Sequence, residues 1–160
     1  MSDIKDFVIE KGALKKYMGN GGDVVIPDGV TAIGNEAFHR RDNVTSLIIP
    51  ESVVTIGNNA FQNCSGLTSV TIPDSVQSIG KCVFCGCSSL TSVQIPESVT
   101  VIGYWTFRDC SNLTCVTIPA SVMDIDYSAF YNCPNLTIHA PAGSYAEQYA
   151  KENNIPFEAE

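Results

Sequence analysis

The sequence predicts an α/β repeat solenoid, in which short units of chain stack along one axis. The dipeptide Ile-Pro recurs at a constant interval of 23 residues, at 26–27, 49–50, 72–73, 95–96 and 118–119. One phenylalanine follows each dipeptide at a fixed distance, at Phe38, Phe61, Phe84, Phe107 and Phe130. A unit this short buries its apolar side only by stacking on its neighbours. We therefore expect five to six coils over residues 24–141, and we number the first five by their Ile-Pro dipeptides.

Each coil is predicted to contribute one strand, exemplified by LTSVTIP at residues 67–73. Leu67, Val70 and Ile72 alternate with Ser69 and Thr71, which is typical of a strand with one buried face. The proline that follows cannot extend a hydrogen-bonded ladder. Stacked strands of this kind predict a parallel sheet on one face of the solenoid, with strands ~4.8 Å apart.

The second half of each coil is predicted to turn away from the sheet and to return as a short helical turn. An Asp-Ser or Glu-Ser pair after the proline is suited to side-chain-to-backbone hydrogen bonds. The segment around each phenylalanine then places the aromatic ring towards the interior, where repeated rings can pack offset. The fold class is therefore a parallel sheet on one face with short helical turns on the other.

Both ends of the repeat region are predicted to carry caps. Residues 1–23 contain DFVIEKGALKKY, which predicts a β-hairpin about Lys11 and Gly12 that shields the first coil. Residues 142–160 contain a predicted helix with Ser144 and Glu147 in capping-box register, followed by a short strand in IPFEAE. The two caps and the repeats are expected to form one domain and a complete, freestanding module.

Composition and charge narrow the classes of function. Hydrophobic residues make up 44% and charged residues 16% of the chain, which argues against disorder. Residues 42–160 contain three basic and eleven acidic side chains, which account for the whole net charge of −8. Such a body repels phosphate backbones, so nucleic acid is excluded as a partner. No apolar run approaches the ~20 residues that cross a bilayer, and the first residues lack a secretory signal, which predicts a cytoplasmic location.

The cysteines divide into two groups. Cys64, Cys87, Cys110 and Cys133 recur at the repeat interval, which predicts a buried cysteine ladder of reduced thiols. Cys82 and Cys85 belong to variable, mostly polar columns and are predicted to face solvent. A zinc site needs three or four converging ligands, which the neighbouring coils do not offer at these positions. A thiol or metal-binding module using Cys82 and Cys85 nevertheless stays open as the alternative function.

The unit LTSVTIPDSVQSIGKCVFCGCSS, residues 67–89, closely resembles the BspA-like leucine-rich repeats of bacterial surface proteins. The Ile-Pro, Ser-Val, Ile-Gly, Phe and Cys-Ser elements all fall at the spacing of that family. The departures are Arg41 in the cysteine column, Val83 and Thr106 in the alanine column, and Asp126 in the glycine column. The resemblance implies a right-handed leucine-rich-repeat solenoid that mediates protein–protein contact or adhesion at the cell surface or after secretion. It implies no catalysis and no cofactor.

Two surfaces are candidates for binding a protein partner. Large aromatic side chains with an arginine have the composition of binding hot spots, and the fourth and fifth coils contain such a set: Tyr104, Trp105, Arg108, Tyr127 and Tyr131. The outward side chains of the strands form the second candidate: Ser69, Thr71, Ser92, Gln94 and Thr117. A monomer is slightly favoured.

Neither catalysis nor a metal site is supported by a motif. The two histidines of the chain have no nucleophile at a fixed spacing, and no phosphate-binding loop interrupts the repeats. One acidic column recurs after the prolines and is interpreted as turn formation, with weak calcium binding as the less favoured alternative: Asp28, Glu51, Asp74 and Glu97.

Overall fold

The structure, a computed structural model, describes residues 2–160 and confirms the predicted solenoid of stacked coils. It begins with a short 3-10 helix at Ile4–Asp6 and contains one α-helix, α1, at Tyr145–Glu152. The strands in chain order are β1 (Phe7–Glu10), β2 (Ala13–Tyr17), β3 (Gly22–Val25), β4 (Ala32–Ile33), β5 (Val44–Ile48), β6 (Thr55–Ile56), β7 (Ser69–Thr71), β8 (Ser78–Ile79), β9 (Ser92–Gln94), β10 (Val101–Ile102), β11 (Cys115–Thr117), β12 (Asp124–Ile125), β13 (Thr137–Ala140) and β14 (Phe157–Ala159).

The coils are joined by two parallel ladders of strands rather than by the single sheet that the sequence predicts. The main ladder contains the predicted strands in two parts, with the orders β3-β5-β7 and β9-β11-β13-β14. The second ladder contains β2-β4-β6-β8 and β10-β12. Apart from β2 of the N-terminal cap, each of its strands consists of the recurring isoleucine before the glycine column and the residue that precedes it. Its repeating strands are two residues long, for example Thr55–Ile56 beside Ser78–Ile79. Two residues are too few to show an alternating pattern, so the sequence contains no signal for them.

Where the sequence predicts short helical turns, the structure has consecutive tight turns whose backbone amides form hydrogen bonds to the next coil. The amide of Phe38 donates to the carbonyl of Ala60 at 2.7 Å, and the amide of Phe84 donates to that of Thr106 at 2.8 Å. Left-handed residues such as Asn59 recur within these turns, with a φ of 59°. A left-handed residue interrupts a right-handed helix. The amide donors that a helix would use within the coil therefore link successive coils.

A row of aromatic rings forms the centre of the core. Neighbouring rings of the phenylalanine column lie 5.2 to 5.5 Å apart between centroids, as the offset-packing prediction required. The caps extend this row, because Tyr17 lies 4.9 Å from Phe38 and Tyr149 lies 6.1 Å from Phe130. Each cap therefore closes the core with a tyrosine ring in the position of the next phenylalanine.

The four recurring cysteines are free thiols; Cys64, Cys87 and Cys110 are buried as predicted, whereas Cys133, in the last coil before the cap, is half-buried. Each thiol forms a hydrogen bond to the preceding coil. Cys64 donates from Sγ to the carbonyl of Phe38 at 3.0 Å, and Cys87 donates to Phe61 at 3.2 Å. Cys110 and Cys133 repeat the same bond to the next two phenylalanines of the row, at 3.1 and 3.0 Å. Burial raises the pKa of Cys64 to about 12, so its sulfur is a protonated donor at neutral pH.

The two caps use the predicted elements. β1 and β2 form an antiparallel hairpin whose turn contains Lys11 and Gly12 at positive φ, and β2 pairs with β4 of the first coil. At the other end, the Ser144 hydroxyl accepts a hydrogen bond from the amide of Glu147 at the start of α1. β14 then adds to the main ladder beside β13. Within residues 2–160, no helix is long and apolar enough to cross a membrane.

Candidate functional site

The five predicted aromatic and arginine residues come together on the turns of the fourth and fifth coils, and we call them the aromatic patch: Tyr104, Trp105, Arg108, Tyr127 and Tyr131. Tyr127 is 81% exposed and Tyr131 is 62% exposed, whereas Trp105 and Arg108 are half-buried between them and the preceding coil. Ring faces this exposed are available to a ligand, because no other part of the described chain covers them.

A stack of planar groups organises the patch. The rings of Tyr104 and Trp105 lie 4.3 Å apart between centroids and 22° from parallel. The guanidinium carbon of Arg108 lies 3.8 Å from the centroid of Trp105 and 5.5 Å from that of Tyr131. Each cation–π contact at a partly exposed site contributes about 0.5–1 kcal/mol. Arg108 therefore lies between the rings of Trp105 and Tyr131 and is closer to Trp105.

Two residues that the sequence did not single out hold Arg108 in place. Arg108 donates from Nε to Oδ2 of Asp109 at 3.1 Å. The other carboxylate oxygen of Asp109 accepts from the side-chain amide of Asn132 at 2.8 Å. Asp109 and Asn132 also occupy left-handed backbone positions, where Asp and Asn are commonly found. Their residue types are explained by the backbone alone, so the sequence gives no signal for their role beside Arg108.

Trp105 occupies a backbone conformation that disfavours a bulky side chain. Its φ is 54°, and the equivalent residues Glu36, Asn59 and Cys82 have φ values of 58°, 59° and 57°. The left-handed region costs an L-residue other than glycine, asparagine or aspartate roughly 1–2 kcal/mol. The stacking of Trp105 on Tyr104 and Arg108 offsets this cost. The first three coils share this conformation, so it belongs to the repeat and does not by itself indicate a binding site.

Two clefts lie side by side on this surface. The first cleft has a volume of about 320 Å³ and is lined by the aromatic patch together with Ser128. The second cleft has a volume of about 370 Å³ and lies between the fifth coil and the C-terminal cap, where Tyr149, Asn154 and Pro156 contribute to its walls. Tyr127 and Tyr131 line both clefts and therefore form the ridge that separates them.

The predicted strand surface is polar and shallow. Ser69, Thr71, Ser92 and Gln94 are exposed, and Thr117 is half-buried. The main ladder is interrupted between β7 and β9, since β7 ends one part of it and β9 begins the other. A crevice of about 340 Å³ lies at this interruption and is lined by polar and proline side chains, including Thr71, Asp74 and Gln94. This surface offers mainly hydrogen-bonding groups in the third to fifth coils, while Val25 and Ile48 in β3 and β5 are exposed apolar side chains on the same face.

The prediction that Cys85 faces solvent was wrong. Cys85 is only 7% exposed, while Cys82 is half-buried. The equivalent residues of the adjacent coils, Gln62 and Arg108, have longer side chains that lie beside the small thiol and cover it. A variable polar column therefore marks a surface position only when its side chains are long enough to reach solvent.

The geometry does not favour the thiol alternative. Burial raises the pKa of both Cys82 and Cys85, which opposes the thiolate form that binds metals and reacts as a nucleophile. Within residues 2–160, no three histidine, cysteine, aspartate or glutamate side chains are grouped closely enough to hold a metal ion. The same finding covers the acidic column, whose four members are exposed: Asp28, Glu51, Asp74 and Glu97.

The comparisons with known proteins agree with this architecture. The family model of the BspA type leucine-rich repeat region matches residues 8–137 in six copies. A leucine-rich repeat protein of T. pallidum superimposes with a TM-score of 0.80 and 31% identity, covering 86% of this chain and 70% of that one. A leucine-rich cell surface protein of Faecalibacterium prausnitzii A2-165 superimposes with a TM-score of 0.79 and 36% identity, covering 86% of this chain and 37% of that one.

The fold is also shared with more distant proteins. The pneumococcal vaccine antigen PcpA superimposes with a TM-score of 0.70 at 16% identity, covering 96% of this chain and 45% of that one. No curated protein sequence matches the chain. Because the family model covers most of the chain and the structure repeats its coil, the protein belongs to the BspA-type leucine-rich repeat family.

Proposed function

We propose that the protein is a non-enzymatic scaffold that binds another protein through the aromatic patch. The family and its structural neighbours fit a protein-interaction scaffold. The observation that carries the assignment to the patch is internal to the chain. The first two coils have Asn35 and Asn58 where the fourth and fifth have Tyr104 and Tyr127, so the fold does not require aromatic rings there.

The physical properties of the patch suit protein recognition. Tyrosine, tryptophan and arginine dominate binding hot spots because they bury a large area and still form polar contacts. The bonds from Arg108 to Asp109 and its stacking on Trp105 hold the centre of the patch in one arrangement. A surface that is ordered before binding loses less side-chain entropy on association. Adhesion to a surface-exposed partner is one form that this function takes, as the printed description of the Faecalibacterium relative suggests.

A structural role for the patch is the competing explanation, because bulky side chains could shield the last coils next to the cap. The exposure of the rings argues against it. Tyr149 does shield the end of the core and is 4% exposed, whereas Tyr127 on the neighbouring turn is 81% exposed. A ring that leaves most of its surface in water contributes little burial to the fold.

The test replaces Trp105 and Tyr127 with asparagine, which the earlier coils carry at these columns, and measures partner capture and thermal stability together. Wild type, this double variant and a strand-surface control with Thr71→Ala and Gln94→Ala are immobilised and exposed to surface proteins of the source organism. We expect capture of a defined partner to fall about tenfold or more in the patch variant, which corresponds to ~1.4 kcal/mol, with little change in Tm. The proposal fails if capture depends on the strand-surface residues, or if the patch variant unfolds early and still captures the partner.

A further inference from the structure

The ridge formed by Tyr127 and Tyr131 can be contacted by a ligand from either of the two clefts. Both tyrosines line the first cleft, towards Trp105 and Arg108, and the second cleft, towards the C-terminal cap. The far wall of the second cleft contains Tyr149, Asn154 and Pro156. Since the same two side chains border both clefts, a ligand that crosses the ridge contacts Tyr127 and Tyr131 from either side.

We propose that the two clefts together bind a proline-rich segment of the partner in the polyproline II conformation, with basic residues flanking the prolines. This inference rests on the proposed function and names the kind of segment that the aromatic patch recognises. Polyproline II segments characteristically dock in grooves lined by aromatic side chains. Here each cleft takes one proline of a Pro-x-x-Pro spacing, and the tyrosine ridge lies between the two prolines.

The dimensions of the ridge fit this arrangement. A polyproline II helix has three residues per turn and rises ~3.1 Å per residue, so prolines three residues apart are separated by ~9 Å. Two van der Waals contacts, one on each side of a single side chain, span ~7–8 Å. Successive prolines of one helix edge therefore reach both sides of Tyr127 and Tyr131 without distortion of the ligand.

The polar groups of the clefts complement such a ligand. Polyproline II has no internal hydrogen bonds, and proline has no amide donor, so the ligand presents carbonyl acceptors that need donors. Within residues 2–160, Arg108 forms its side-chain hydrogen bond to the protein through Nε alone, which leaves its terminal nitrogens available. The hydroxyls of Tyr127 and Tyr131 and the side-chain amide of Asn154 supply further donors along the two clefts.

The charge of the protein surface determines which residues are favoured beside the prolines of the bound segment. Asp109 pairs with the guanidinium of Arg108 at 3.1 Å, which neutralises the one cation of the patch. The remainder of residues 42–160 is strongly acidic, with Lys81 and Lys151 as its other basic side chains. A surface with this field attracts cationic ligands and repels anionic ones, and the effect weakens as salt is added. Lysine or arginine beside the prolines is therefore favoured over aspartate or glutamate.

The fluorescence of Trp105 reports binding directly, because the chain contains one tryptophan and this residue lines the first cleft. The probes are three synthetic 12-residue peptides of equal length: one with two Pro-x-x-Pro units and lysine flanks, one with glutamate flanks, and one with lysine flanks and every proline replaced by alanine. We expect saturable binding of the first peptide, with binding at least tenfold weaker for the other two. The advantage of lysine over glutamate flanks should shrink as sodium chloride is raised.

The variants separate the ridge from the remainder of the surface. The double variant Tyr127→Ser and Tyr131→Ser removes the ridge and should weaken binding of the lysine-flanked proline peptide at least tenfold. Circular dichroism of the same variant checks that the fold is retained. Thr71→Ala with Gln94→Ala, on the strand surface, should leave the affinity unchanged. Equal binding of the alanine peptide, or binding that survives removal of the ridge, overturns the inference.

A neutral oligosaccharide, cellohexaose, serves as a second probe, because sugar rings also pack against exposed aromatic faces. If it binds in a Tyr127-dependent manner and the proline peptide does not, the inference is wrong and the clefts form a glycan site. If the aromatic patch is required to capture a protein partner and no proline peptide binds, the inference fails while the proposed function stands. If capture does not depend on the aromatic patch, the proposed function itself fails.

Discussion

The turns of the second and the fourth coil have the same backbone conformation, but the side chains are polar in the second coil and aromatic in the fourth. The φ of Asn59 is 59° and that of Trp105, at the equivalent position, is 54°. In both coils the phenylalanine amide donates to the following coil, from Phe61 at 3.0 Å and from Phe107 at 2.8 Å. The backbone of the turn is therefore independent of the side chains that project from it.

The side chains of the two turns are used differently. In the second coil, Asn58 accepts a hydrogen bond from the amide of Lys81 at 2.9 Å, and Asn59 donates to the side chain of Gln62 at 2.6 Å. In the fourth coil, Tyr104 and Trp105 replace these asparagines and stack on each other. The polar side chains of the second coil's turn form hydrogen bonds within the protein, whereas the fourth coil's turn exposes part of its aromatic rings to solvent. The difference teaches that the backbone of the turn forms with either kind of side chain, which leaves the rings of the fourth coil available for the binding role proposed above.

The comparison assumes that both turns pack on one continuous row of buried aromatic rings. The variant with the largest expected loss of stability tests this assumption. Phe84 is fully buried between Phe61 and Phe107, at 5.5 Å from each. Phe84→Ala should lower the free energy of unfolding by about 3–5 kcal/mol, because a cavity replaces a ring in the row. The matched control is Tyr127→Ala, an exposed ring on the same face, which should cost less than about 0.5 kcal/mol. Urea titration measures the free energy of unfolding of both variants. Equal decreases would contradict the assignment of Phe84 to the core and of Tyr127 to the surface.

A smaller effect is expected at the asparagine of the early turn. Asn58→Ala removes the bond from its side-chain oxygen to the amide of Lys81 and should destabilise the protein by about 0.5–1.5 kcal/mol. The comparison variant is Asn112→Ala, which lies outside this turn and removes a different inter-coil bond, from the side-chain amide of Asn112 to the carbonyl of Ser88 in the preceding coil. No measurable loss for Asn58→Ala would show that the early turn does not depend on its side chains either, which would weaken the contrast with the fourth coil.

The smallest change in stability is expected at the residue that distinguishes the two turns most clearly. Trp105→Asn relieves the left-handed strain, a gain of roughly 1 kcal/mol, and loses ring stacking worth about 0.5–1.5 kcal/mol. The two terms nearly cancel, so the change should be within about 1 kcal/mol in thermal denaturation. Tyr104→Asn is the informative companion, because it removes the stacking and leaves the strain of Trp105 in place. It should therefore destabilise the protein more than Trp105→Asn does, and the reverse order would refute the claim that Trp105 is strained.

Much of the fold was predictable because a solenoid places equivalent residues in equivalent surroundings. The phenylalanine row, the inward cysteines and the strands of the main ladder each recur five or nearly five times in the sequence, so chance similarity is averaged out. The hairpin about Lys11 and the helix after Ser144 were predictable from turn and capping residues, which act locally. The aromatic patch was a candidate for the opposite reason. The first three coils have Asn35, Asn58 and Lys81 in the column of Tyr104 and Tyr127, so the aromatic rings are not part of the repeat.

The sequence by itself determined the period, the buried columns and the place where the repeat changes character. Only the tertiary structure decided where each group finds its partner. The turns are not helical because their amides donate to the next coil, and Cys85 is buried because Gln62 and Arg108 belong to the coils on either side of it. The second cleft exists because the C-terminal cap packs beside Tyr127 and Tyr131. These features arise between coils, at distances of 23 residues or more along the chain, and a pattern read along the chain does not contain them.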